Sequence, residues 1–157
     1  MFNDIKESLF HLGALVAVER PVRNAPLPVL SDHLRTSGDK IAARLATACD
    51  TAENRRLLSH VTGIERWGQR RLRVALGELF IQDEYDGYRP HREESWENLI
   101  AEFKVTRQET LRLVDEIDKA AAGESLTIDH NQFGSLSVRG WLHYLDMHAS
   151  GEIQKMR

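Results

Sequence analysis

Apolar residues recur at helical spacing along four long stretches of this chain. Nowhere does a two-residue alternation last long enough to build a sheet, so the expected fold class is all-α. The first stretch, 29–49, carries Leu30, Leu34, Ile41, Leu45 and Ala48 on one stripe, weakened at its middle by Gly38. The second, 52–79, is opened by Thr51 as N-cap and aligns His60, Ile64, Trp67, Arg71 and Ala75. The third, 95–121, starts at Ser95 or a residue just before it, puts Trp96, Leu99, Phe103, Thr106, Thr110, Leu113 and Ile117 on one side, and is ended by Gly123. A polar linker with His130 and the turn Phe133-Gly134 then leads to Ser137, the cap of the last helix. Upstream, Ile5, Leu9, Leu12 and Val16 predict a short helix over 4–18, and Pro21, Pro26 and Pro28 an extended connector. The reading is therefore a short N-terminal extension, 1–27, followed by a four-helix bundle, 28–157. The loop 81–94 is long enough to cross the bundle. That crossover makes the second and third bundle helices parallel, in up-down-down-up topology, with the last antiparallel to both.

A chain of 157 residues can bury one substantial core. No apolar run is long enough to cross a membrane, and the N-terminus lacks the pattern of a secretory signal, so no membrane partner is expected. Cys49 is the sole cysteine, which excludes an internal disulfide and fits a cytoplasmic location. A net charge of −3 argues against a dedicated nucleic-acid binder.

The residues with chemistry cluster in two helices. In the last one, Trp141, Leu145, His148 and Glu152 share a face. A carboxylate and an imidazole one turn apart on an otherwise apolar face need partners once water is removed, and a divalent metal suits both. His60 lies roughly 12 Å into its helix, and the midpoint of His148 and Glu152 roughly 10 Å from the chain end, depths that agree if the two helices run antiparallel. His60, His148 and Glu152 are thus candidate ligands. His143, about 140° around the helix from His148, is a reserve ligand only. Trp67, Arg71, Trp141 and Tyr144 are candidates for the pocket wall, though plain packing accounts for large side chains as well. The simpler readings are a hydrogen-bonded core histidine at position 60 and an i,i+4 pair of about 0.3–0.5 kcal/mol at 148 and 152. Arg66, Arg70 and Arg73, flanked by Arg55 and Arg56, form a basic stripe that offers a phosphate or carboxylate site, although a solvated face paired with Glu97, Glu102 or Glu109 across the bundle is the simpler reading. His130 is read as a capping or solvent-exposed linker residue.

The segment Leu58-Ser-His60-Val-Thr-Gly-Ile-Glu-Arg-Trp67, Trp96 after the loop, and Phe133-Gly134-Ser-Leu-Ser-Val138 followed by His148-x-x-x-Glu152-Ile-Gln together resemble the DinB/YfiT-like superfamily of bacterial metalloenzymes, over about residues 28–157. The resemblance implies a DinB-like four-helix bundle with a long crossover between its second and third helices. It also implies a metal held by a His of the second helix and an H-x-x-x-H pair of the last. Those positions fall on His60, His148 and 152, where this chain has Glu152 in place of the usual His; some members carry a Glu in the triad. Such a donor set suits Zn, Ni, Mn or Fe and leaves room for a metal-bound water or thiolate as reactive group. The implied function is divalent-metal binding, with thiol-dependent S-transfer from a low-molecular-weight thiol or metal-assisted hydrolysis of a small-molecule substrate. The alternative is a non-catalytic dimerisation or stress-response module with a degenerate metal site, and a homodimer is expected in either case.

Overall fold

The computed structural model describes residues 13, 15–91 and 93–157. The helix expected over 4–18 lies mostly outside them, and of its described part 15–18 are helical. The chain is mostly helical, with α1 at Leu27–Thr47, α2 at Ala52–Ala75, α3 at Trp96–Lys119 and α4 at Val138–Ile153, and short 3-10 turns at Arg20–Val22 and Tyr85–Tyr88. Among the described residues, no helix is long and apolar enough to cross a membrane.

Local chemistry sets the helix ends. Thr51, Ser95 and Ser137 each turn a side-chain oxygen to an orphan backbone N–H, accepting from Asn54, Asn98 and Gly140 at 3.0–3.1 Å. Glu19 reinforces the last cap, its carboxylate accepting from Ser137 N at 2.7 Å and Ser137 Oγ at 2.8 Å. The connector expected to be extended from Pro21 through Pro28 instead turns as a 3-10 helix at Arg20–Val22, and it also stops sooner. Helix α1 begins at Leu27 with Pro28 in its first turn, where a missing N–H costs nothing. Gly38 does not interrupt α1; a Cβ there would stand 3.1 Å from the Arg107 Cγ, so the glycine admits that side chain. Helix α2 ends at Ala75 rather than 79, because the chain turns through Gly77 at a φ of 95°.

The linker after α3 also departs from expectation. Thr127–His130 and Gly134–Ser137 pair as an antiparallel hairpin, His130 opposite Gly134, with Ile128 and Leu136 buried. Four-residue strands carry too few alternations to register as a pattern, and their pairing depends on the surface they cover.

Helix α1 packs on α3 and α4, and α2 packs on the same two. Contacts between α2 and α4 run in opposite order, with His60 against His148 and Trp67 against Trp141. Those between α2 and α3 run in the same order, Arg66 to Glu102 and Arg73 to Glu109. Two apolar clusters fill the interior. One holds Leu30, Leu34, Trp67, Ile117, Leu136 and Trp141; the other holds Ile41, Leu58, Trp96, Phe103 and Ile153. In α1, α3 and α4 the switch between them falls at polar residues, Ser37, Arg107 and Asp146; in α2 it falls between Val61 and Ile64, just before Glu65.

Helices α2 and α4 approach closely at Gly68, where an added Cβ would lie 2.6 Å and 2.7 Å from the two methyls of Leu145. Gly68→Ala is therefore expected to lower stability by about 1–3 kcal/mol through overpacking, although alanine is the better helix former. Urea unfolding checks this, and a stabilised variant would show that Leu145 yields freely.

Candidate metal centre

His60 on α2 and His148 on α4 meet where those helices cross. Their Nε2 atoms are 3.2 Å apart and their ring centroids 5.1 Å apart. Burial pushes both imidazoles below the ordinary histidine range. His148 falls to about 4, with the charge of His60 adding to burial, and at His60 the guanidinium of Arg89 adds to it. Both rings are thus neutral near pH 7, the form in which imidazole binds metal.

The third candidate is engaged elsewhere. Glu152 accepts from Lys155 Nζ at 2.7 Å, and that bond chiefly holds its carboxyl below the usual range, with His148 and His60 contributing through their charge. It bonds to neither imidazole. Among the described residues, no group of three or more His, Cys, Asp or Glu side chains is assembled to hold a metal. His143, the reserve ligand, is half-buried on α4 and forms no bond to His60 or His148.

Around the pair runs an aromatic wall. Tyr85 stands edge-on to His60 at 5.2 Å and Tyr144 lies 5.7 Å from His148. Burial, followed by Tyr85 and Glu152, raises the Tyr144 hydroxyl above the usual phenol range, so it stays protonated. Trp67 and Trp141 are packed on each other, ring centres 5.2 Å apart, in the core beside this wall. Arg71 is fully buried with its guanidinium over Trp67 and bonded to Asp83 at 2.7 Å. The basic stripe is neutralised: Arg66 pairs with Glu102, Arg73 with Glu109, and Arg70 with Glu78.

The loop after α2 supplies a contact absent from the sequence reading. Arg89 places Nη2 3.1 Å from His60 Nδ1 and lies over the Tyr85 ring. A guanidinium only donates, so His60 Nδ1 must accept. The neutral ring then carries its proton on Nε2 and donates it to His148 Nε2, leaving the His148 proton on Nδ1. The signal for this was Gly63, one turn after His60: a Cβ there would stand 2.6 Å from the Arg89 Cγ.

Two imidazole nitrogens bound at about 2.0–2.1 Å to one tetrahedral ion lie roughly 3.3 Å apart, so the spacing of the pair fits a shared divalent metal. The outer contact of His60 does not. A ligating histidine donates its second nitrogen to an acceptor, and here that nitrogen faces a cation. To hold an ion the pair would need Arg89 to turn away, and Glu152 would have to leave Lys155 before it could serve as a third ligand.

His130, read as a linker residue, is buried under the hairpin among Trp67, Phe133, Trp141 and Tyr144. Its Nδ1 accepts from the N–H groups of Gln132 and Phe133 at 3.1 Å and 3.3 Å, so capping is its role but exposure is not. Burial, aided by Arg71 and His148, lowers it to about 4. The unfolded chain takes up this proton near pH 6.5 and the folded chain only near 4. Stability is therefore full above about pH 6.5 and falls as pH drops through that window. His130→Asn keeps an acceptor for the turn and removes the titration. It is expected to lose less stability than the parent between pH 7 and 4.5 in urea unfolding, and equal losses would assign the acid limb to other groups.

Comparison with protein-family models, with curated proteins and with solved structures finds no match.

Proposed function

We propose that this chain is a DinB-like, divalent-metal-binding protein whose ion sits between His60 and His148, with Glu152 as the third ligand. The observation that carries this reading is the 3.2 Å approach of two neutral Nε2 atoms from helices far apart in sequence. The opposite order of α2–α4 contacts and the common order of α2–α3 contacts support an up-down-down-up four-helix bundle, as does the long loop between α2 and α3. A divalent ion in such a site supplies Lewis acidity and lowers the pKa of a coordinated thiol or water, which suits thiol-dependent S-transfer or metal-assisted hydrolysis. The chain's own residues keep the imidazoles neutral by burial, wall the site with Tyr85 and Tyr144, and present Arg89 at its edge.

A second reading, a non-catalytic helical module with a degenerate site, is favoured by the pairing of Glu152 with Lys155 and of His60 with Arg89. Elemental analysis of protein purified without a His tag separates the two. Near-stoichiometric metal that disappears in His60→Ala/His148→Ala is the expected result. Metal-free protein whose thermal midpoint ignores added Zn²⁺ and Ni²⁺ would favour the second reading, since an ion that binds only the folded state must raise it.

A further inference from the structure

A cavity of about 760 Å³ opens between the N-terminal half of α2 and the loop behind it, lined by Arg55, Arg56, Ser59, Asp86, Arg89 and His91 among others. Three guanidiniums face one carboxylate there. Arg55 is held by both oxygens of Asp50. Arg56 is exposed and forms no ion pair among the described residues. Arg89 lies 3.1 Å from Asp86 through Nε, yet that buried nitrogen makes no hydrogen bond, and Nη2 is spent on a neutral imidazole and, at 3.5 Å, the Tyr85 hydroxyl. A guanidinium meets an anion charge to charge and a neutral acceptor only charge to dipole, so the anion is the stronger partner. Arg89 thus has a carboxylate beside it without a hydrogen bond and only neutral acceptors on Nη2, and the cavity it lines has room for a further anion.

We propose that this cavity binds an anionic group of the substrate, a carboxylate or phosphate, through Arg56 and Arg89, and that Arg89, in turning to the anion, frees His60 to hold the metal. The second half rests on the metal reading above, and the first on the cavity alone. With Arg89 drawn off, His60 can carry its proton on Nδ1 and offer Nε2 to the ion. Anion and metal then favour each other's binding by the same factor.

The test titrates the full chain with Ni²⁺ by calorimetry in chloride, sulfate and propionate at matched ionic strength. Sulfate stands for a phosphate and propionate for a carboxylate, and the anion with the larger effect identifies the class. Ni²⁺ affinity is expected to rise about tenfold with the preferred anion. Arg89→Gln should bind Ni²⁺ more tightly than the parent in chloride and gain nothing from anion, while Arg56→Gln should lose the anion effect. Equal Ni²⁺ affinity in all three salts would overturn the coupling. If Ni²⁺ binds in none, the metal reading fails and the cavity is judged on the metal-free chain. Because sulfate stabilises proteins generally, the comparison is between chains: a larger sulfate-induced rise in thermal midpoint for the parent than for Arg56→Gln supports the anion site, and equal rises overturn it.

Discussion

Replacing Arg107 by methionine is expected to cost about 3–5 kcal/mol of stability, because it strands a carboxylate at the centre of the helices. Arg107 donates from Nε and Nη2 to the two oxygens of Glu65 at 2.7 Å and 2.9 Å, with both side chains almost fully buried. The remaining valences are filled as well. Nη1 of Arg107 donates to Leu34 O and Ser37 Oγ, and Thr110 Oγ1 donates to Glu65 at 2.8 Å. Gln69 Nε2 closes the layer by donating to Thr110 Oγ1 and Thr106 O. Through Ser37 and Asp146 this network touches all four helices at the level where the two apolar clusters separate. The expected loss is thus the desolvation of Glu65 without its partner, rather than the net worth of the pair. Glu65→Met/Arg107→Met removes both charges and is expected to lose markedly less than the sum of the single changes. Urea unfolding of the three variants measures this, and a loss below about 1 kcal/mol for Arg107→Met would mean that water reaches Glu65.

Such a pair was illegible in the sequence, since a charged residue on a helix is read as solvated unless its three-dimensional neighbours are known. What the sequence did disclose was local or periodic. Thr51, Ser95 and Ser137 act as caps because capping needs only a side-chain oxygen within three residues of the helix start. The meeting of His60 with His148 agreed with helix depth at a fixed rise per residue, a quantity indifferent to details of packing, but Glu152, set at a similar depth, pairs with Lys155 instead. The pairing of Arg66 and Arg73 with Glu102 and Glu109 was legible for the same reason. The hairpin, the burial of His130 and the approach of Arg89 were not. Each depends on how an irregular segment folds back onto helices, and such a path is fixed by contacts distant in sequence. Gly63 marked the place of one such approach without naming what would fill it.

Asp83→Ala is expected to cost about 3–5 kcal/mol and to loosen the loop that brings Tyr85 and Arg89 to the histidine pair. Asp83 Oδ1 accepts from Arg71 Nη1 at 2.7 Å and from Trp67 Nε1 at 3.0 Å, while Oδ2 accepts from the Tyr88 hydroxyl. Its carbonyl takes a further bond from Asn131 on the hairpin at 2.9 Å. Partial burial would raise this carboxyl, but the bonds from Tyr88 and Arg71 outweigh it and hold the group below the ordinary range. The resulting stability is present above the unfolded carboxyl pKa and is lost as pH falls through the folded one. Without the carboxylate, the fully buried Arg71 keeps only the carbonyls of Ile81 and Asp83, and its Nε is already without a partner. Asp83→Asn keeps the acceptor oxygen and drops the charge, so it should fall between Asp83→Ala and the parent. Adding Arg71→Met to Asp83→Ala removes the stranded cation and should restore part of the loss. Unfolding free energies test the ion pair, and Trp67 fluorescence tests the loop, since its indole bonds directly to Asp83. If Asp83→Ala matched the parent in both, Arg71 would be satisfied by backbone carbonyls alone, and the loop's hold on the site would have to come from Arg89 itself.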